Sequence, residues 1–93
     1  MPQFRKQRID HVIDVRSKVE FWLGHLPGAE CIPVQTLPNA LEKKGEIDKN
    51  ARILVYCASG ARSAAALSLL ASAGYRHVID GGAMSNAAPD FTP

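Results

Sequence analysis

The 93-residue sequence predicts an α/β fold in which helices cover both faces of a parallel sheet. Three observations carry that reading. "IDHVIDV" (Ile9–Val15) is rich in β-branched residues, as a strand is. "RILVYC" (Arg52–Cys57) holds a run of apolar residues without alternation, the pattern of a central strand buried on both faces. Arg62 to Ala73 is an alanine- and leucine-rich helix, with Gly74 placed to take the left-handed conformation that stops it.

The remaining elements follow in order. "SKVE" (Ser17–Glu20) is a capping-box pattern, in which the serine caps a helix and Glu20 reaches back. That helix runs through Phe21, Trp22 and Leu23 and ends near Gly24, with Phe21 and Trp22 expected to pack inward. His25–Val34 reads as a loop leading into a brief strand. Thr36 and Pro38 suit a helix start, "NALEKK" its body, and Gly45 its end. "HVID" (His77–Asp80) gives a last strand, and Gly81–Gly82 a turn. One domain over 1–93 is expected, with 1–8 a flexible tail and 83–93 an irregular C-terminal segment.

Composition bounds the function. A chain of this length buries roughly 60–70% of its unfolded surface, enough for one modest core. The formal charge of +2 is too small and too scattered for a nucleic-acid surface, and Arg5, Lys6 and Arg8 read as part of the solvated tail. Cys31 and Cys57 make neither a disulfide framework nor a zinc pattern, so no metal is expected. No apolar run is long enough for a membrane span, and the start lacks the apolar core of a secretion signal. The chain as it stands therefore reads as cytoplasmic, or periplasmic if a signal was removed before Met1.

The chemistry concentrates where the central strand meets the following helix. After Cys57 come Ala58, Ser59, Gly60, Ala61, Arg62 and Ser63. Small residues and a glycine let this loop curl so that its backbone N–H groups converge, and the helix N-terminus adds its positive end. Such a ring favours a negative sulfur and lowers the thiol pKa. At a pKa of about 8.5 roughly one thiol in thirty is ionised at pH 7, whereas at about 6 some nine in ten are. Arg62 offers a cation for the thiolate and a planar fork for an oxyanion. Ser63 can cap the helix or turn its hydroxyl to the sulfur. The plainer alternative is that Cys57 is a small buried hydrophobe ending a strand.

"C-A-S-G-A-R-S" (Cys57–Ser63) resembles the active-site loop of the rhodanese (sulfurtransferase) superfamily, Cys-x-x-Gly-x-Arg-Ser. "IDVR" (Ile13–Arg16), "EFWLGHLPGA" (Glu20–Ala29) and "AGYRHVIDGG" (Ala73–Gly82) resemble further motifs of that family, in the family's order. The short C-terminus is similar to that of the small stand-alone bacterial sulfurtransferases of the phage-shock type. The resemblance implies a five-stranded parallel sheet between helices and a ping-pong transfer without metal or organic cofactor. Cys57 would take the outer sulfur of thiosulfate or a persulfide, hold it as a persulfide on the loop, and pass it to cyanide, a cellular thiol or a sulfur-accepting protein. It further implies that Asp14 anchors the active-site region with Arg16 nearby; a strand-end salt bridge is the other reading. His25 in "GHLPGA" looks structural.

Four residues separate Cys57 from Arg62, one fewer than in the phosphatase signature, which favours a single sulfur atom over a tetrahedral phosphate. Three departures stand out. "AMSNAAP" lacks a tryptophan that many relatives carry after the glycine pair, the N-terminal helix of the family is absent or shortened, and Cys31 replaces a residue commonly asparagine. Cys31 reads either as an inert buried thiol or as a resolving cysteine. The alternative to an enzyme is a sulfur-carrier or sulfide-sensing module serving a protein partner.

Overall fold

The computed structural model describes residues 2–93; Met1, the first residue of the expected tail, lies outside them. Two short strands, β1 (Gln3–Phe4) and β2 (Gln7–Arg8), precede β3 (His11–Asp14) and helix α1 (Lys18–Leu23). Then come β4 (Glu30–Cys31), a 3-10 turn (Val34–Thr36), α2 (Asn39–Lys44), β5 (Arg52–Cys57), α3 (Ala61–Ser72) and β6 (His77–Ala83). The chain closes with α4 (Met84–Ala87), a second 3-10 turn (Ala88–Asp90) and β7 (Phe91–Thr92).

The parallel sheet has four strands in the order β4-β3-β5-β6, not five. The residues ahead of β3 do not extend it. They pair antiparallel with each other and with β7, giving a separate sheet of order β2-β1-β7. The expected flexible tail is thus corrected to a hairpin, and the expected irregular C-terminus to a helix and a strand that joins it. A two-residue turn closes the hairpin, with Arg5 and Lys6 both at positive φ (49° and 67°), the pattern that Asn-Gly usually signals. Arg5 is held there by contacts of its own: its guanidinium lies 4.7 Å from the Phe4 ring centre and its Nε donates to Asp90 Oδ2 at 3.2 Å.

The strand period of two sorts the core. Ile13, Ile53, Val55 and Cys57 face one side, where Leu41 of α2 and Ala66 and Leu70 of α3 pack on them. Val12, Leu54 and Tyr56 face the other, against Phe4, Leu26, Ala87 and Phe91. Helices α2 and α3 therefore cover one face, while the second is covered by α4 and the small sheet. Gly81 permits this approach, because a Cβ there would meet Leu54 Cδ1 at 3.1 Å and the Val55 carbonyl at 3.2 Å. The glycine pair is also not a terminal turn. β6 runs through it to Ala83, with a register shift opposite Val55–Cys57 and Gly82 at φ 73°, as bulged strands allow.

Helix α1 buries no residue. The capping box predicted from "SKVE" forms: the Ser17 hydroxyl accepts from the Glu20 N–H (3.3 Å) and Glu20 Oε1 accepts from the Ser17 N–H (3.1 Å). Its apolar side faces outward, however, with Val19, Trp22 and Leu23 exposed. The expectation that Trp22 packs inward is corrected: it is 81% exposed. Among the described residues no helix is long and apolar enough to cross a membrane.

The burial pattern has a direct consequence. Phe4→Ala is expected to cost about 3–5 kcal/mol in urea unfolding, as removal of a core aromatic does, whereas Trp22→Ala changes stability by less than about 0.5 kcal/mol.

Candidate functional site

Cys57 ends β5 with its side chain fully buried on the α3 face. The chain then turns sharply through exposed Ala58 and Ser59 into Gly60, whose φ of 104° leads directly into α3. That conformation is costly for any residue with a Cβ, although the space beside it is open. The turn brings the loop back over the sulfur. Gly60 N–H donates to Cys57 Sγ at 2.9 Å and Ser63 N–H at 3.3 Å. As a thiol, Cys57 donates to Ser63 Oγ at 3.6 Å, and the Ser63 hydroxyl donates to the Gly60 carbonyl at 3.0 Å. Ser63, fully buried, therefore braces the turn that surrounds the sulfur.

The electrostatic balance at Cys57 has two sides. Burial opposes ionisation, and it is outweighed by the Ser63 hydroxyl and the N–H groups of Ser63, Gly60 and Ser59, so the thiol pKa lies below its ordinary value. Of the loop residues, Gly60 and Ser63 contact the Cys57 sulfur directly.

Arg62 is paired within the protein. Its guanidinium donates to both carboxylate oxygens of Glu20, Nη1 to Oε1 at 2.6 Å and Nη2 to Oε2 at 2.9 Å. The groups that lower the thiol pKa are N–H and hydroxyl donors at contact distance. Glu20, read from sequence as a capping residue and as the start of the Glu20–Ala29 motif, is therefore part of the loop's rim. Forty-two positions separate it from Arg62, so no local pattern could have paired them.

Asp14 and Arg16 meet each other, not the sulfur. Asp14 is fully buried and accepts from the Arg16 N–H and Nε (both 2.9 Å, to Oδ1) and Nη2 (2.6 Å, to Oδ2). Arg16 Nη2 also donates to the Gly24 carbonyl at 2.5 Å, and the Leu26 N–H donates to the Tyr56 hydroxyl at 3.0 Å. This clip ties the end of β3 to the segment after α1, and so fixes where Glu20 stands. Of the two sequence readings of the pair, the salt bridge is the one observed directly. His25 is structural, its Nδ1–H donating to the Phe21 carbonyl at 2.8 Å while its ring stacks on Phe21 with centroids 3.7 Å apart.

Cys31 sits opposite Asp14, which in turn sits opposite Tyr56, so two strand spacings separate it from the Cys57 strand. That is about 10 Å, beyond the roughly 7 Å limit between Cα atoms for a disulfide. Burial, with a smaller contribution from Asp14, pushes the Cys31 thiol pKa up. The register therefore does not support a resolving role for Cys31. Among the described residues no group of three His, Cys, Asp or Glu side chains is placed to hold a metal.

A loop that wraps a strand-end cysteine in N–H donors, on a four-stranded parallel sheet, defines a class of cysteine-centred α/β domain. Residues 3–85 match the Rhodanese-like domain family, and the chain belongs to it. It is 33% identical over 79 residues to the thiosulfate sulfurtransferase PspE of Escherichia coli strain K12, covering 85% of this chain and 75% of that protein. It is 35% identical over 80 residues to the adenylyltransferase and sulfurtransferase uba4 of Ogataea parapolymorpha. The chain spans about a fifth of the length of the larger curated relatives it matches, 17% and 20%. Among solved structures, the rhodanese with anions from E. coli superposes with a TM-score of 0.71 at 31% identity, over 88% of this chain and 95% of that one.

Two outcomes are expected. In the folded protein Cys57 ionises at a lower pH than Cys31, as thiol titration of Cys31→Ser and Cys57→Ser would read. Asp14→Asn, which leaves the Arg16 charge buried without its partner, costs about 3–5 kcal/mol in urea unfolding.

Proposed function

We propose that this chain is a sulfurtransferase that moves sulfane sulfur from thiosulfate or a persulfide to cyanide or a thiol through a persulfide on Cys57. The observation that carries the proposal is the pair of backbone N–H groups, from Gly60 and Ser63, aimed at Cys57 Sγ. The thiolate attacks the outer sulfur of thiosulfate, an S–S bond forms, and the bond to the sulfonate sulfur breaks with its electron pair leaving on sulfite. The product, Cys57–S–S⁻, carries the negative charge that the loop donors stabilise. Attack by cyanide on the terminal sulfur releases thiocyanate and restores the thiolate. Every electron pair comes from a sulfur or from the acceptor, so the cycle requires no cofactor.

Membership of the family and the likeness to a thiosulfate sulfurtransferase support the donor assignment. One feature favours a second reading, a carrier that hands sulfur to a protein. Helix α1, joined to the loop through Glu20 and Arg62, exposes Val19, Trp22 and Leu23, an apolar strip that a protein partner can cover.

Incubating the reduced protein with thiosulfate is expected to add the mass of one sulfur atom, lost on adding cyanide and absent in Cys57→Ser. Loading in Cys57→Ser would contradict the assignment of the nucleophile. Fast steady-state thiocyanate formation favours the enzyme; a single loading followed by negligible turnover favours the carrier.

A further inference from the structure

Glu20 has more contacts than a helix cap needs. Capping uses one oxygen: Oε1 accepts from the Ser17 N–H at 3.1 Å and from the Ser17 hydroxyl at 3.0 Å. A glutamine at this position caps equally well. The negative charge is required only by Arg62, which both carboxylate oxygens engage in the paired geometry that a guanidinium fork favours. The pair stands at the loop's rim, each side chain about one third exposed (36% and 33%).

The other loop side chains carry no charge: Ala58, Ser59, Gly60 and Ala61. The second arginine of the region, Arg16, is buried and committed to Asp14 and Gly24. Arg62 is thus the loop's own cation, and it is already neutralised within the protein.

We propose that Glu20 is a positioning residue that sets donor specificity: by holding Arg62 it withholds that charge from the donor, so the site selects the sulfane sulfur and not the number of negative charges on the group that carries it. The wild-type site is then indifferent to whether a donor carries one negative charge or two. This rests on the sulfurtransferase reading above. Arg62 holds the Glu20 carboxyl well below its ordinary range, at about 2, so the clamp is charged and closed throughout neutral and mildly acidic conditions.

Thiosulfate and benzenethiosulfonate present the same outer sulfur but differ by one charge and by a phenyl group in place of an oxygen. The phenyl group is common to wild type and variant, so the change in the donor ratio between them reads the charge. With the thiosulfonate, Cys57–S⁻ bonds to the outer sulfur and the electron pair of the breaking S–S bond leaves on benzenesulfinate. With thiosulfate it leaves on sulfite; charge balances in both. The test compares kcat/KM for the two donors in the wild type and in Glu20→Gln, with cyanide as acceptor and intact mass reporting Cys57 loading.

Freeing Arg62 is expected to raise the thiosulfate-to-thiosulfonate ratio about tenfold, through a lower KM for thiosulfate at unchanged kcat. Thiosulfate use by the variant should also become more sensitive to added salt. In Glu20→Gln/Arg62→Gln the ratio returns toward that of the wild type. An unchanged ratio, or an equal loss with both donors at an unchanged melting temperature, overturns the specificity role and leaves Glu20 a structural partner. If neither donor loads wild-type Cys57, the sulfurtransferase reading fails and the specificity role with it.

Discussion

Placing a negative sulfur at the buried end of a strand is unfavourable unless hydrogen-bond donors replace the water that burial removes, and much of this structure around the site serves that requirement. The N–H groups of Gly60 and Ser63 are the donors at contact distance. They reach the sulfur because Gly60 adopts a φ of 104° and because the Ser63 hydroxyl fastens to the Gly60 carbonyl. These donors are backbone groups held by a helix and a strand, so little reorganisation is needed when charge appears. The small side chains of the loop follow from the same constraint, since bulk at Ala58 or Ala61 would add nothing to a ring made of main chain.

Two ion pairs frame that ring, and they differ in kind. The Asp14–Arg16 pair is buried (0% and 6% exposed) and satisfies several hydrogen bonds at once, which is the condition under which charges can be buried at all. It fixes the segment from β3 to Gly24, and with it the stem of α1. The Glu20–Arg62 pair is partly exposed and lies on the loop itself. One pair holds the frame, while the other controls which charges the rim presents. Helix α1 has few other attachments, and its unburied apolar side is consistent with a part of the molecule that works at its surface.

Much of this was legible in the sequence where the signal is local. The capping box at Ser17–Glu20, the apolar run of β5, the α3 helix and the convergence of the loop on Cys57 are all set by residues within a few positions of one another. The misses are long-range. Phe4 and Phe91 pair across the small antiparallel sheet, so each terminal segment looks unstructured when read alone. The Arg5–Lys6 turn lacks the Asn-Gly signature and is held in part by Asp90 from the other end of the chain. Trp22 was expected to pack inward because an aromatic on a helix usually does, but no second layer lies over α1. Glu20 satisfied a local motif so well that its partner 42 residues away was invisible.

The central claim is that the loop favours the anionic form of Cys57, and titration of that thiol tests it most directly. Following the ultraviolet absorbance of the thiolate against pH in a Cys31→Ser background reads Cys57 alone. Its ionisation midpoint is expected below that of an ordinary cysteine, with Ser63→Ala moving the midpoint upward. Because the shift is downward, the thiolate persists to a lower pH than in an ordinary cysteine and is lost as the pH falls through the lowered midpoint. A midpoint at or above the ordinary cysteine value would contradict the account, because burial would then have outweighed the donors.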